Sequence, residues 1–338
     1  MKGLILAAGL GTRFRPHTEV LPKQAFPFLN VPLLHYAVHV AELFSAKEVF
    51  FNTHHLPQQI EKLIAAIPGA QFTSHTSHES QILGNAGALT PLRHQLENDI
   101  FFVLNSDTVI LPPQPSVFSH MLSKHRQDNA LATLLVMEHP QAGKQYGAVW
   151  VGHDLQVLGF GKQPPPEAPQ AKPYHFTGVR LFHPKLFGYL PIGESDIKQV
   201  LSQAIAKAEN VKALVANPMF FDGGSLEEFL KDSLLALREA ETSVFLQTVF
   251  ARFWPQFSQR PSLFMGTNCE LPPAYLHSRQ HLFGNNVRIH ESVIMNGFCI
   301  FGDNVTVSEN CILENVVVMP NKSLKKSTSI KNNLILNA

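Results

Sequence analysis

The chain has 338 residues, enough for two domains and a large core. It is 45% hydrophobic and 16% charged, which is typical of globular rather than disordered proteins. The net charge of +1 excludes a broad electrostatic attraction to nucleic acid or to a membrane surface, and no apolar run is long enough to span a bilayer. We therefore expect a cytoplasmic protein with no nucleic-acid or membrane partner.

The first apolar run, Leu4–Ala8, leads directly into a loop that contains two glycines. At Gly9 and Gly11 the absence of a side chain lets backbone N–H groups approach phosphate oxygens. Arg13 and Lys23 add a cation at each end of the loop. This pattern predicts a phosphate-binding loop for a nucleotide or another polyphosphate.

Two common phosphate-binding motifs are excluded. A dinucleotide fingerprint requires G-x-G-x-x-G, and Phe14 occupies the position of the third glycine. The P-loop string G-x-x-x-x-G-K-[ST] does not occur in the chain.

The loop instead resembles the signature of the sugar-1-phosphate nucleotidyltransferases, also called NDP-sugar pyrophosphorylases. That signature is G-x-G-T-R-x-x-P-x-T-x-x-x-P-K, and its matching residues here are Gly9, Gly11, Thr12, Arg13, Pro16, Thr18, Pro22 and Lys23. The resemblance implies a reaction between a nucleoside triphosphate (NTP) and a sugar 1-phosphate, which yields a nucleotide sugar and pyrophosphate.

Strand-like and helix-like segments alternate over the first 220 residues. The predicted strands are Leu4–Ala8, Val49–Asn52, Phe101–Asn105 and Leu131–Met137, and the predicted helices are Leu33–Phe44, Pro57–Ala66, Gly87–Glu97 and Val117–Lys124. Gly147–Val151 and Val157–Phe160 are predicted to form a hairpin, followed by a proline-rich surface loop, Gln163–Pro173. The alternation predicts an α/β fold with a Rossmann-like, mostly parallel sheet and helices on both faces. His75 and His78 lie among Ser and Thr, so we interpret them as part of a solvated loop.

The second part of the chain begins with two predicted helices, Ser225–Glu241 and Val244–Phe257. From Leu282 onward, apolar residues recur every six positions in two series. One series is Val287, Val293, Cys299, Val305, Cys311 and Val317, and the other is Ile289, Met295, Phe301, Val307, Leu313 and Met319. A six-residue repeat predicts a parallel β-helix of roughly three coils, with both series inside and the two cysteines as reduced core thiols. The family resemblance implies that this β-helix is left-handed.

Three domains follow from these patterns. We expect a catalytic domain at 1–240, a helical connector at 241–280 and the hexapeptide-repeat domain at 281–338. A homo-oligomer, if one forms, is expected to use the C-terminal region.

Two carboxylates each follow an apolar segment. Asp107 comes after the strand Phe101–Asn105, and Asp222 comes between Phe221 and a Gly-Gly turn. Carboxylates at strand ends of such a sheet point toward the ligand crevice, and carboxylate plus phosphate oxygen suits Mg²⁺. The resemblance extends to both positions, because the family carries metal-binding Asp residues in N-S-D and D-x-G-[TS]-x-E contexts.

The resemblance assigns further site residues. Backbone from Leu6, Ala7, Ala8 and Gly9, together with Gly11 and Thr12, is expected to bind the nucleotide, as are Glu79 and Gly84. Arg13 is assigned to the β/γ phosphates, Lys23 to the α-phosphate and Lys162 to the sugar phosphate. Asn105, Gly147 and Thr177 are expected in the sugar pocket.

The chain departs from the family at two places near that pocket. Gly161 stands where members usually have the Glu of E-K-P, and Phe176-Thr177-Gly178-Val179 replaces N-A-G-I. The string from Glu79 to Gly87 favours mannose-1-phosphate guanylyltransferase-like members, hence GTP and mannose 1-phosphate. Three alternatives stay open: a uridylyltransferase for an amino sugar or muramate 1-phosphate, a non-catalytic regulatory subunit that binds nucleotide sugars, and an acyltransferase site on the β-helix with His281 or His290 as base.

Overall fold

The computed structural model describes residues 1–254, 264–276 and 278–336. The chain divides into two compact units, which we call unit 1 (Met1–Leu10 with Tyr36–Phe220) and unit 2 (Gly11–His35 with Phe221–Ala338). No helix within the described residues is long and apolar enough to cross a membrane.

The helices and strands are as follows in chain order. The helices are α1 (Leu33–Leu43), α2 (Pro57–Ala65), α3 (Gly84–Gly87), α4 (Arg93–Leu96), α5 (Val117–Gln127), α6 (Ile197–Ala206), α7 (Leu226–Glu239) and α8 (Val244–Phe253). The strands up to residue 221 are β1 (Lys2–Leu6), β2 (Pro27–Phe28), β3 (Val31–Pro32), β4 (Glu48–Thr53), β5 (Thr73–His78), β6 (Phe101–Asn105), β7 (Val109–Leu111), β8 (Ala132–Met137), β9 (Ala148–Val151), β10 (Val157–Gly161), β11 (Lys172–Phe182), β12 (Val211–Val215) and β13 (Met219–Phe221). The later strands are β14 (His281–Phe283), β15 (Arg288–Ile289), β16 (Ile294–Phe301), β17 (Thr306–Val307), β18 (Ile312–Val318), β19 (Ser323–Leu324) and β20 (Ser329–Ile335).

Unit 1 is built on one sheet in which β10, β9, β11, β6, β1, β4 and β5 lie side by side in that order. β1 is parallel to β4 and β6, and β4 is parallel to β5. β11 runs antiparallel to β6, β8 and β9, and β8 is parallel to β12. The centre of β1, which pairs with β4 on one side and β6 on the other, is fully buried. The predicted α/β fold with a mostly parallel sheet is confirmed, as is the β9–β10 hairpin.

One predicted helix is wrong in its extent. The segment expected as one helix, Gly87–Glu97, is divided into α3, a short 3-10 turn at Thr90–Leu92 and α4. Pro91 lies in that turn, and a proline has no backbone N–H to continue an α-helix.

The interpretation of His75 and His78 as loop residues is also wrong. Both lie in β5, which pairs with β4 over six residues at the end of the sheet. The ring of His75 stacks on Phe50 at 4.9 Å, and its Nε2 lies 3.4 Å from a carboxylate oxygen of Glu48. A strand with only one neighbour can carry polar residues on both faces, so the sequence lacks the apolar alternation of an inner strand.

Unit 2 contains a stack of parallel strands that confirms the predicted β-helix. β14, β16, β18 and β20 form one parallel sheet, and β15, β17 and β19 form another. Leu282 pairs with Ile300, 18 positions later, so one coil contains three six-residue repeats. Cys299 and Cys311 are buried free thiols inside the coil, as predicted, and burial raises the pKa of Cys299 to about 12. The predicted second helix is α8, and the predicted residues 255–257 lie outside the described part of the chain.

The two six-residue series are correct up to Leu313 and then slip by one position. Cys299 pairs with Val316 and Phe301 with Val318. The reason is that the corner between Glu314 and Val316 has one residue fewer than the equivalent corner of the previous coil, between Asn296 and Cys299. Val316 and Val318 therefore point into the coil in place of Val317 and Met319. Val317 is still buried, on the outer side of β18, where α7 packs against β18 and β20.

Candidate active site

The signature loop of unit 2 depends on glycine at position 11. Gly11 has a φ of 60°, and its carbonyl accepts hydrogen bonds from the Phe14 backbone N–H and the Thr18 hydroxyl, both at 2.9 Å. A Cβ at Gly11 would lie 2.8 Å from the methyl carbon of Thr18. The left-handed backbone and the tight turn together require glycine here.

Aromatic packing holds this loop against α7. Phe14 is buried, and its ring meets Phe26 at 5.2 Å and Phe229 of α7 at 6.2 Å, both edge to face. Phe28 adds a further edge contact with Phe229 at 6.0 Å. The adjacent residue, Arg13, is exposed. The loop therefore presents Arg13 outward from a fixed aromatic base.

The second cation of the signature is internal. Lys23 is 4% exposed, its Nζ donates to the backbone carbonyl of Asp222 at 2.9 Å, and it lies 5.3 Å from the Phe14 ring centroid. This contact joins the signature loop to the second predicted metal-ligand motif, although Lys23 and Asp222 are 199 positions apart. Unit 2 thus brings together Gly11, Thr12, Arg13, Lys23 and Asp222.

The Asp222-Gly223-Gly224 turn is braced from α7. The carboxylate of Asp232 accepts the Gly223 backbone N–H at 3.1 Å, and Ser225 caps α7 by accepting the Glu228 N–H. Burial, reinforced by the charges of Glu228 and Asp222, raises the pKa of Asp232 to about 6. Asp222 itself is exposed. Sequence reasoning missed Asp232, because in sequence it is one carboxylate among several on an amphipathic helix.

In unit 1, a hydrogen-bonded chain fixes the loop that follows β1. The Ala7 backbone N–H donates to Asn52 Oδ1 at 2.7 Å, and Asn52 Nδ2 donates to Glu79 Oε1 at 2.8 Å. The other oxygen of Glu79 accepts the Leu83 N–H at 2.9 Å. Glu79 is 3% exposed, so its carboxylate braces the two backbone segments expected to frame the base. Ser106 ties in the same region by donating to the Leu6 carbonyl.

Gly84 is required by a close approach of two backbone segments. Its φ is +72°, and a Cβ would lie 2.5 Å from the Ser195 carbonyl oxygen. That carbonyl accepts the Ala86 N–H at 3.1 Å. Asn85 accepts the N–H of Ile197 at 2.7 Å and so holds the start of α6.

A large cavity of unit 1 contains part of the predicted sugar pocket. Its volume is ≈ 890 Å³, and its lining includes Asn105 and Gly147. Thr177 does not line it: the residue is fully buried, and its hydroxyl donates to the Leu135 carbonyl at 2.8 Å. We therefore correct the expected sugar contact of the Thr177 side chain, which instead links two neighbouring strands. Lys162 is exposed, next to Gly161, which does line the cavity.

Two further residues line the cavity, Gly161 and Arg180. Gly161 has a φ of +130°, a conformation that side chains rarely adopt. Arg180 was not identified from the sequence, because a single cation near the apolar end of β11 has no recognisable motif. It is 2% exposed, and its Nη2 donates to Asn105 Oδ1 at 3.1 Å.

The two predicted metal ligands each follow a strand. Asp107 follows β6 by two residues and is half-buried, and Asp222 follows β13 directly. Among the described residues there is no group of three or more His, Cys, Asp and Glu that could hold a metal ion. Mg²⁺ in nucleotide enzymes is held by one or two carboxylates plus substrate phosphates, so two aspartates fit its chemistry.

The chain matches the nucleotidyl transferase family over residues 2–239. It belongs to this family. The resemblance seen in the signature loop is therefore confirmed, and the chain is a nucleotidyltransferase by family.

Relatives and solved structures agree with this assignment. The chain is 25% identical over 312 residues to a mannose-1-phosphate guanylyltransferase catalytic subunit beta of Danio rerio, covering 88% of this chain and 82% of the relative. It is 27% identical over 208 residues to a UTP–glucose-1-phosphate uridylyltransferase of Synechocystis sp., covering 57% of this chain and 52% of the relative. A UDP-glucose pyrophosphorylase from Acinetobacter baumannii superposes with a TM-score of 0.62 at 21% identity, covering 73% of this chain and 96% of that one, which shows the shared fold.

Proposed function

We propose that this chain transfers a nucleotidyl group from an NTP to a sugar 1-phosphate and releases pyrophosphate. The observation that carries the proposal is the 2.9 Å hydrogen bond between Lys23 of the signature loop and the backbone of Asp222. It brings two distant family motifs into one arrangement with Arg13, which a chance resemblance of a short loop would not do. The family match over residues 2–239 supports the same reaction class.

The chain's own cations supply the proposed chemistry. A sugar phosphate is already an anion that can attack the α-phosphorus in line, so positioning and charge neutralisation carry the catalysis and no general base is needed. We assign Arg13 to the β/γ phosphates, Lys23 to the α-phosphate and Lys162 to the incoming sugar phosphate. The carbonyl of Asp222 fixes the Lys23 ammonium, while exposed Arg13 and Lys162 can reach a ligand in solution.

Asp107 and Asp222 are the proposed ligands of Mg²⁺. When bound, this ion would neutralise phosphate charge. Backbone from Leu6 to Gly9 and from Glu79 to Gly84 would hold the nucleotide base, with the Asn52–Glu79 hydrogen bond keeping these segments in place. Asn105 and Gly147 would line the sugar site.

Mannose 1-phosphate and GTP are the substrates best supported by relatives, because the guanylyltransferase relatives align over 88% of this chain. A uridylyltransferase is the alternative supported by the Synechocystis relative. A non-catalytic regulatory role is favoured only by the missing glutamate at Gly161, and the retained Arg13, Lys23, Asp107, Lys162 and Asp222 oppose it.

The organisation of the chain belongs to the same proposal. We retain a catalytic domain at 1–240, a connector at 241–280, a β-helix domain at 281–338 and a cytoplasmic location. A homo-oligomer would use the C-terminal region, where Ile294 and Ile312 pair on adjacent strands and are 51% and 44% exposed. Light scattering of an Ile294→Ser/Ile312→Ser double variant tests this, since a mass equal to that of the wild type would contradict the interface.

One assay tests the activity. Purified protein is incubated with Mg²⁺, each NTP and a panel of sugar 1-phosphates, and pyrophosphate release is measured. We expect turnover with at least one pair and a loss of about a hundredfold in Asp107→Asn, the scale for removing preorganised electrostatics. Lys162→Ala should weaken the use of sugar phosphate while NTP binding stays near that of the wild type. Nucleotide-sugar binding without any turnover would favour the regulatory alternative.

A further inference from the structure

The large cavity of unit 1 contains a buried cation that the proposed reaction does not use. Arg180 projects from β11, lines the cavity and is 2% exposed. Its Nη2 donates to Asn105 Oδ1, and its guanidinium carbon lies 5.3 Å from the Phe176 ring centroid. Its Nε has no hydrogen-bond partner among the described residues. A buried guanidinium held by one neutral amide and one aromatic ring is incompletely satisfied.

The walls of the cavity offer no negative charge to complete the pairing. Among the described residues that line it, none is Asp or Glu, and Lys198 adds a second cation. The carboxylate that acts on Arg180 from a distance is Asp196, but it caps α6 by accepting the Lys198 N–H at 2.7 Å and does not line the cavity. Burial lowers the pKa of Arg180 to about 10, with Asp196 opposing this, so the guanidinium stays charged at neutral pH.

Gly161 does nothing to offset the excess of positive charge in the cavity lining. Gly161 lines the same cavity where the family usually carries a glutamate, so the carboxylate expected in this wall is missing. Its φ of +130° disfavours any side chain at this position. The cavity therefore holds a buried cation and no anion, which favours a ligand that brings its own negative charge.

We propose that the sugar 1-phosphate bound here carries a carboxylate of its own, as a sugar acid does, and that Arg180 recognises this carboxylate. The inference rests on the proposed function and specifies its substrate class. The planar fork of a guanidinium matches a carboxylate in two parallel hydrogen bonds, and Nε is one of the donors that such a pairing uses. Neutral hexose phosphates, mannose 1-phosphate included, can offer that donor a hydroxyl oxygen but no negative charge on the sugar to pair with the guanidinium.

The test uses matched pairs of sugar 1-phosphates that differ only by oxidation to the uronic acid, such as mannose and mannuronic acid or glucose and glucuronic acid. N-acetylglucosamine 1-phosphate and N-acetylmuramic acid 1-phosphate form a third pair. In this pair the acid carries its carboxylate on an ether-linked lactyl group. For the wild type with its preferred NTP, we expect kcat/KM to be at least about tenfold higher for the acid of one pair, the scale for one charge-assisted contact. Arg180→Met should bring that ratio close to one, while Arg126→Met, which removes an exposed arginine of α5, should leave it unchanged.

Several outcomes overturn the inference. An acid-to-neutral ratio below about ten in all pairs, or one that Arg180→Met leaves unchanged, shows that Arg180 does not recognise a carboxylate. An equal loss for both members of a pair assigns Arg180 to the 1-phosphate or to folding. The melting temperature separates folding from recognition, because removing a buried, incompletely paired cation should not lower it. If Arg180→Met does not fold, Arg180→Lys decides the question: it should retain a reduced acid preference, and an undiminished one contradicts the paired geometry.

Failure of the proposed function gives a different result. If the wild type releases no pyrophosphate with any pair of substrates, the activity is wrong, and binding then tests the cavity alone. Saturation-transfer NMR should detect glucuronate but not glucose bound to the wild type, with the glucuronate signal lost in Arg180→Met. Equal signals for the two sugars, or a glucuronate signal that survives in Arg180→Met, would contradict the assignment of Arg180.

Discussion

At the scale of single residues, the site depends on positions where a side chain is missing. Gly147 lines the large cavity, and no atom lies within 4 Å of where its Cβ would be. Gly224, in contrast, lies in a crowded place. A Cβ added there would lie 2.7 Å from Arg13 Nη1 and 2.6 Å from Glu228 Oε2. The first glycine leaves open space in the proposed sugar site, and the second leaves room for Arg13, to which we have assigned the β/γ phosphates.

We expect Gly147→Ala to affect substrate but not stability. The new methyl group enters open space at a residue whose φ is ordinary, so the melting temperature should not change. It occupies part of the proposed sugar site, so KM for the sugar 1-phosphate should rise by about tenfold. Steady-state kinetics and thermal unfolding measure the two effects. Gly188→Ala is the control, because its Cβ also meets nothing within 4 Å and the residue does not line the cavity.

Gly224→Ala should act through Arg13. The methyl group displaces the end of a flexible side chain, so the fold should persist while kcat/KM for the NTP falls by about tenfold or more. The same substitution in an Arg13→Met background should cause no further loss, because the group that it displaces is already absent. Two losses that multiply in the double variant would show that Gly224 acts independently of Arg13.

At the scale of elements, a buried histidine and the tightly stacked corners of the β-helix restrict which side chains each segment tolerates. His125 of α5 is 1% exposed, and its Nδ1 lies 2.8 Å from the Thr133 hydroxyl of β8. In the β-helix, Gly266, Gly284 and Gly302 lie at stacked corners, and a Cβ at Gly284 would lie 2.6 Å from the Asp303 backbone nitrogen. Both features follow from packing between segments that are distant in sequence.

We expect His125 to reduce stability in mild acid. Burial, followed by the charges of His183 and Arg126, lowers its pKa to about 4, whereas an unfolded histidine has a pKa of about 6.5. As pH falls from about 6.5 to 4, the unfolded chain takes up a proton that the folded chain does not, so the free energy of unfolding decreases. His125→Gln should reduce this loss by about 3 kcal/mol at pH 4, measured in urea titrations. His120→Gln, at an exposed position of the same helix, should leave the pH dependence unchanged.

Gly284→Ala should destabilise the β-helix. The added methyl group meets backbone of the next coil, which cannot move aside without separating the stacked strands, and overpacking of this kind costs about 1–3 kcal/mol. Thermal unfolding with Gly188→Ala as the reference measures the effect. An unchanged melting temperature would mean that the coils are less closely stacked than the structure shows.

At the scale of the whole molecule, each unit is assembled from separate parts of the chain. Unit 2 joins Gly11–His35 to the C-terminal residues, and Asn30 donates to the Phe301 carbonyl of β16 at 2.8 Å. The apolar side of α7 is buried within this unit, where the helix packs against β18 and β20. Most of the signature loop, from Gly11 onward, therefore lies in the same compact unit as the β-helix, although the two are far apart in sequence.

Truncation after residue 280 should consequently do more than remove an accessory domain. It would expose the buried side of α7 and remove the acceptor of Asn30, so we expect an aggregated or unfolded product. Size-exclusion chromatography and circular dichroism measure this. The single variant Ile312→Ser, at an exposed position of the same β-helix, should remain folded, whereas a monodisperse truncated protein with native melting behaviour would contradict the shared unit.

The sequence by itself determined the features that depend on local pattern. The signature from Gly9 to Lys23, the strand-following positions of Asp107 and Asp222, the parallel sheet and the six-residue repeat all arise from short-range spacing or periodicity, which a linear string retains. Only the tertiary structure decided the features that depend on distant contacts. Arg180 is unremarkable in sequence and becomes a buried cation because β11 places it against Asn105 and Phe176. The roles of Asn52, Asp232 and Thr177, the polar strand β5 and the slip at Val316 were likewise set by neighbouring strands, since packing and hydrogen bonding between remote segments leave no local pattern to read.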